Sequence, residues 1–507
     1  MIRTCTIAIA ALAGAAQAQF LPDWIGIVPP ETDSGGMQEM IVDEAGYSYV
    51  TASTLPPLSS DVATACFDQQ GNIVWWHVYD GPAHKYDQAR GMAFGPNDTV
   101  LVCGNTPGAG SYGDVLVLKY DRFTGELLDT IQWTSAQYTA EHGASVAADA
   151  DGNIYVGGGT VGDGLDGLLV SFDADGNFRW KTTYDGAAFG PYSQDSIREV
   201  RLAQDGTLVV RIHAVTEQLH PDYLIAKHDT ADGSVIWQSY WGLNSEDSSA
   251  DMEFDADANI FVTGTAEQGI DKFGTIKLRG TDGALLWQAY DDLHGYHNVA
   301  NAVALDGAGG VYVTGYSDPD FDKSNYNDRY YTVKRDAETG ALLWEHNYGE
   351  TCVGCLDRAE DVLVDGAGHA LVVGNAGSPP YAGAMLLFNL DADTGVEIDQ
   401  GTIGMEPGVA ADAGIMRFDA EENLYIGGQY FDVNTGADGM AVFKYPSLVT
   451  GDCAADCNAD GDLNILDFVC FQNVFSAGDI AADCNADGDL NILDFVCYQN
   501  LFSAGCP

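Results

Sequence analysis

The chain has 507 residues, 75 acidic and 21 basic, with a formal net charge of −54, 46% hydrophobic residues and 25 tyrosines. That charge excludes electrostatic binding to nucleic-acid backbones or anionic membranes, since both would repel the protein. The hydrophobic fraction excludes a disordered chain. The acidity itself reads as solubility in salty water, where screening confines repulsion to under about a nanometre.

The first residues, MIRTCTIAIAALAGAAQAQF, place Arg3 before a short apolar run that ends in Ala16-Gln17-Ala18. This is the small-x-small pattern of a signal peptide, so residues 1–18 are expected to be removed and the mature chain exported. Cys5 lies before the apolar run, which argues against a lipoprotein. The run is too short to span a bilayer, so no membrane insertion is expected. Ten cysteines remain, six of them within the last 55 residues, and a dense even set in an exported chain reads as a disulfide framework.

From residue 19 to 446 one unit recurs. GNIVW (71–75), GELLD (125–129), GNFRW (176–180), GSVIW (233–237), GALLW (283–287), GALLW (340–344) and GVEID (395–399) end 54, 51, 57, 50, 57 and 55 residues apart. Acidic turns such as DRFTG and DAETG overlap these phrases. Upstream lie strands such as VLVLKY (115–120), and further upstream GNIYVGG or VYVTG. Four short strands per unit, Gly/Asp turns and no helical periodicity predict a β-propeller. Seven units are complete and an eighth (415–445) lacks its fourth strand. DWIGIV (23–28) sets Trp24 one unit length before Trp75, so the expectation is eight blades closed by the N-terminal strand, with seven as the alternative. The recurring Trp (75, 180, 237, 287, 344) reads as packing between blades rather than a cofactor contact.

DAETGALLW (336–344) resembles the tryptophan-docking repeat of the quinoprotein dehydrogenases, which are also eight-bladed. GNIYVGG and VYVTG resemble equally the SBBP-type propeller repeats of exported bacterial proteins. These resemblances cover about residues 23–446 and imply the fold, not a function. A quinoprotein enzyme carries an adjacent Cys-Cys pair and a Ca²⁺-bound quinone; no two cysteines are adjacent here, and no organic cofactor is expected.

Ligands of propellers bind at the mouth of the channel, near the innermost strand starts. Counting back fourteen residues from the end of each second strand selects Gln38, Arg90, Ala144, Arg198, Ala250, Asn301, Glu360 and Gly414. Gln38, Arg90, Arg198, Asn301 and Glu360 are the candidate ligand residues, suited to a carboxylate or a sugar; the bland reading is a wet, solvated channel lining. No catalytic set is legible: G-x-S-x-G, H-E-x-x-H and phosphate loops are all missing. Cys352 and Cys355 in TCVGC read first as a local disulfide, with a zinc half-site and a redox centre as alternatives. Cys66 and Cys103 are either a second pair or two buried thiols.

After the short linker 447–452, residues 454–478 and 481–505 differ at two of 25 positions. Each copy contains D-x-N-x-D-G-D-x-N-x-x-D, a twelve-residue loop that supplies the six to eight oxygens Ca²⁺ requires. The ligands are Asp456, Asn458, Asp460, Asp462, Asn464 and Asp467, then Asp483, Asn485, Asp487, Asp489, Asn491 and Asp494. Gly461 and Gly488 make the sharp turn. A helical apolar pattern ending in Gly follows each loop. Two Ca²⁺ are expected, and with no Lys or Arg among residues 453–507 the segment should need them to fold.

Loop-helix twice, with Asp at position 12 and a Gly-Cys ending, resembles the Cys-rich variety of dockerin. That resemblance implies a module over 453–507 that plugs an exported protein into a cohesin-like domain on a scaffold or cell surface. Family positions 10 and 11, which meet the partner, correspond to Ile465, Leu466, Ile492 and Leu493; packing within the module is the equal alternative. Cys453, Cys457, Cys470, Cys484, Cys497 and Cys506 allow fifteen pairings, with Cys453–Cys506 preferred. Three functional readings stand: a calcium-dependent, dockerin-anchored binding component, monomeric when free and with polysaccharide as a possible ligand; a polysaccharide-degrading hydrolase or lyase; and a quinone-dependent dehydrogenase.

Overall fold

A computed structural model describes residues 22–28 and 34–447, with loops at 55–59, 109–111, 136–139, 162–164, 185–194, 216–220, 243–246, 268–269, 292–296, 319–326, 350–354, 378–383, 404–408 and 433–436 left out; beyond 447 it describes residues 457, 465–476, 482, 484 and 491–504. No helix among the described residues is long and apolar enough to cross a membrane.

Eight antiparallel sheets of four main strands follow one another along the chain. Blade 1 runs Ser34–Val42, Ser48–Thr54, Val62–Phe67 and Ile73–Tyr79. The innermost strands of blades 2 to 8 are Gln88–Gly95, Glu141–Ala148, Ser196–Leu202, Ser248–Phe254, His297–Leu305, Arg358–Val364 and Val409–Phe418. In blade 8 the fourth strand is Trp24–Ile27, paired with Ala437–Tyr445 in the register Trp24–Lys444 to Ile27–Ala441. The N-terminal strand thus closes the ring and removes two free sheet edges, as the spacing of Trp24 implied. One extra pair, Cys355–Leu356, lies parallel to Asn327–Asp328 at the edge of blade 6.

The hydrophobic cores lie between adjacent sheets. Six tryptophans (Trp24, Trp75, Trp180, Trp237, Trp287 and Trp344) each donate their indole N–H to a carbonyl of the next blade, at 2.7–3.1 Å. Each ring lies over a turn glycine of that blade: a Cβ on Gly71, Gly125, Gly233, Gly283, Gly340 or Gly395 would fall 2.3–2.7 Å from it. Those glycines also have positive φ, between 69° and 77°. One residue type therefore answers both backbone handedness and close approach. Blades 2 and 7 carry Asp129 and Asp399 at the Trp position; beside the former, Trp133 stacks on Phe178 at 5.7 Å instead.

Much of the acidity is structural. Asp149 accepts the amides of Asp151 and Asn153 and the Tyr155 hydroxyl, the last at 2.7 Å. Asp43, Asp255, Asp306, Asp365 and Asp419 accept the same pair of amides in their own blades. These are Asx turns between first and second strands.

Helices Ile465–Ser476 and Ile492–Ala504 lie within the two repeats. Phe471 and Tyr498, equivalent positions of the two copies, stack face to face at 3.9 Å and 6°. Phe468 and Phe495, also equivalent, meet at 6.0 Å. Contact between equivalent residues marks a local two-fold relation, the economical way for a duplicated half-unit to bury its apolar face.

Candidate functional sites: the channel and the duplicated loops

In all eight innermost strands the ladder skips a residue at the same place. Ala89 pairs with Gly104 and Gly91 with Cys103, leaving Arg90 as the extra residue of a β-bulge. The extra residues of the other blades are Gln38, Ala144, Arg198, Ala250, Asn301, Glu360 and Gly414. These are the eight positions counted from sequence, and all line one channel of about 1110 Å³. A bulge bends its strand and re-aims the extra side chain. It also explains the repeated Gly in VCGN, VTGT, VTGY and VVGN. A Cβ at Gly104, Gly264, Gly315 or Gly374 would lie 1.8–2.1 Å from the carbonyl oxygen two residues before the bulge.

The channel wall is electrically uneven. Arg90 and Arg198 are exposed and share a compartment of about 430 Å³ with Gln38, Arg211, His213, Ser248 and Ser249. Arg211 is buried and pinned: Nε donates to Glu199 at 2.9 Å and Nη1 to the Ser249 carbonyl at 2.6 Å. Although Arg198 reaches the open channel, its partial desolvation within the concave wall lowers it from its ordinary value, and Arg211 and Arg90 lower it further. Burial, helped by Arg90 and Arg198, brings His142 down to about 4, so it is neutral at pH 7. In the eight-bladed ring blade 7 lies opposite blade 3. There Asn301 Nδ2 donates to the Ala359 carbonyl at 2.8 Å and to Glu360 Oε2 at 3.4 Å.

Beside the bulge residues lies a layer of ion pairs. Arg201 meets Glu199, Glu253 and Asp251 at 2.5, 2.9 and 3.6 Å. Arg417 meets Glu39 at 2.8 Å and Asp361 at 3.8 Å. Asp251 Oδ2 accepts the Val303 amide at 2.9 Å and Asp361 Oδ2 the Met416 amide at 2.7 Å, so each ties its innermost strand to the next. Burial, with Glu199 adding repulsion, raises Asp251 to about 7; burial raises Asp361 to about 6.

The other sequence candidates are distributed as follows. Cys66 and Cys103 are buried free thiols, not a pair. Cys355 lies in the edge strand of blade 6, and Cys352 lies outside the described residues. In the duplicated segment the disulfides are Cys457–Cys470 and Cys484–Cys497, each within one repeat and thirteen residues apart. Cys453 and Cys506 lie outside the described residues. Among the calcium candidates, Asp467 and Asp494 sit in the first helical turns and are fully buried. Asp494 Oδ2 accepts the Asn491 amide at 2.7 Å. Asp456, Asn458, Asp460, Asp462, Asn464, Asp483, Asn485, Asp487 and Asp489 lie outside the described residues. Ile465, Leu466, Ile492 and Leu493 open the two helices.

Ring closure, indole docking and eight equivalent bulges define a β-propeller of the quinoprotein type. The chain matches the family described as "Outer membrane protein assembly factor BamB" over residues 59–318 and again over 221–435, and it belongs to that family of repeats. Among solved structures it resembles the quinohemoprotein alcohol dehydrogenase of Comamonas testosteroni at 12% identity and a TM-score of 0.52, covering 84% of this chain and 76% of that one. Quinohemoprotein alcohol dehydrogenase ADHIIG of Pseudomonas putida HK5 gives 12%, 0.51, 86% and 78%. A europium-containing methanol dehydrogenase gives 10%, 0.51, 83% and 93%. At such identities the likeness is one of fold. No curated protein matches the sequence.

Proposed function

We propose that the chain is an exported binding component of an extracellular assembly. In this reading a calcium-dependent, dockerin-like C-terminal module anchors it to a cohesin-like partner, and the propeller serves as the binding head. The observation that carries the reading is the build of the duplicated segment. Each copy is cross-linked within itself, its position-12 aspartate is buried, and the copies meet through equivalent aromatic residues. A buried carboxylate at the end of an oxygen-rich loop is what a hard divalent cation uses.

The shared fold favours a quinone-dependent dehydrogenase, but the described residues of the Arg-lined compartment do not fit the cofactor. Arginines suited to carboxylates are present, yet the described residues of the Arg-lined compartment offer no phenyl, phenol or indole plane to hold a flat ring, and the chain has no adjacent cysteines. A hydrolase would need two carboxyl groups about 5–10 Å apart and free to act on substrate. Asp251 and Asp361 instead engage backbone amides and arginines.

The full chain, immobilised with Ca²⁺, should retain a small set of proteins from the secreted fraction of the organism that makes it. Chelator should release them, and an Asp467→Asn/Asp494→Asn variant should not retain them. Retention of the same proteins in chelator, or by the double variant, would overturn the reading.

A further inference from the structure

The chain has few cations, and most of its described arginines lie within 4 Å of a carboxylate: Arg122, Arg201, Arg211, Arg279, Arg335, Arg358 and Arg417. Arg90 and Arg198 have no such partner among the described residues, in a protein with 75 carboxylates. Both are bulge residues of the channel wall, in blades 2 and 4. The bulge residues of blades 3 and 5 are Ala144 and Ala250, so the two arginines stand beside small side chains that leave the compartment open between them. The pinned Arg211, Ser248 and Ser249 also line it.

We infer that this compartment is an oxyanion subsite for a sugar bearing a single carboxylate or sulfate group. The arginines take the anionic group and the far wall takes hydroxyls. Guanidinium groups match planar or tetrahedral oxyanions with paired N–H donors. A bound anion would offset the repulsion among Arg90, Arg198 and Arg211, which adds to burial in lowering Arg198. The rest of the molecule restricts the ligand's charge. A net −54 repels polyanions, and Glu360 across the channel disfavours a second negative group. Glu360, Asn301 and Gln38 are suited to exchanging hydrogen bonds with hydroxyls. The volume, about 430 Å³ adjoining a channel space of about 1110 Å³ across shared wall residues, fits one or two sugar rings.

The inference rests on the propeller being a binding head and is independent of the anchor. Calorimetric titration of the Ca²⁺-loaded full chain with glucuronate or galacturonate disaccharides, a monosulfated disaccharide, the matching neutral disaccharides and inorganic sulfate tests it. One or both acidic sugars should bind saturably, and which one does identifies the group. Arg90→Ala and Arg198→Ala should each weaken binding about tenfold or more, with Arg198→Lys intermediate. Arg279→Ala, on an outer turn, should leave binding unchanged. Equal binding of neutral sugars, binding by inorganic sulfate as tight as by the sulfated sugar, no binding at all, or unaltered binding by the well-folded Arg90→Ala/Arg198→Ala chain would each overturn it. No protein partner is present in this titration, so its failure leaves the anchor intact, just as a failed capture leaves this subsite intact.

Discussion

At the scale of single residues the propeller is held by a pairing of tryptophan with glycine one blade apart. Gly283 has φ +69°, and its absent Cβ would lie 2.5 Å from the Trp237 ring, whose N–H bonds the Gly280 carbonyl at 3.1 Å. Gly283→Ala should therefore destabilise the protein by about 1–3 kcal/mol through backbone strain and overpacking. Trp237→Ala should cost about 3–5 kcal/mol. The double variant should cost less than the sum, because removing the indole removes the clash; denaturant midpoints measure all three. Strict additivity would contradict the docking. Turn glycines and tryptophans were legible because handedness and aromatic packing leave their mark in the letters. Which glycine each ring covers was not, because the partners stand 46–53 residues apart. The thirteen-residue disulfide links were hidden for a related reason: six cysteines name no pairs until the helices place them.

At the scale of elements, the innermost strands matter most. Counting from the second strand found every bulge residue, because each hairpin keeps a constant length from bulge to strand end. The bulge itself left only the glycine opposite it as a trace. Charges beside it join neighbouring strands: Asp251 to blade 6 and Asp361 to blade 8. Their folded values of about 7 and about 6 exceed the ordinary carboxylate value near 3.9. Between about pH 4 and 7 the folded protein thus holds protons the unfolded chain has released, so their contribution is full below pH 4 and is lost as pH rises through 6 to 7. Melting temperature should fall from pH 5 to pH 8, and the Asp251→Asn/Asp361→Asn variant should show a shallower fall. An unchanged slope would contradict the assignment.

At the scale of the whole molecule, the repeat count and the closure by Trp24–Ile27 were legible, since each is written as spacing. The uneven charge of the channel was not, because side chains from five blades make the Arg-lined compartment. The proposed anchor is the central claim, and the proposal makes it depend on metal. With no Lys or Arg in residues 453–507 to offset the aspartates, the proposal predicts that the segment's carboxylates need cations before its helices close on Phe471 and Tyr498. Native mass spectrometry of the full chain tests this most directly. Two Ca²⁺ per chain are predicted, one in Asp467→Ala, one in Asp494→Ala and none in the double variant. No bound calcium in the unsubstituted chain, or two retained by the double variant, would contradict the account.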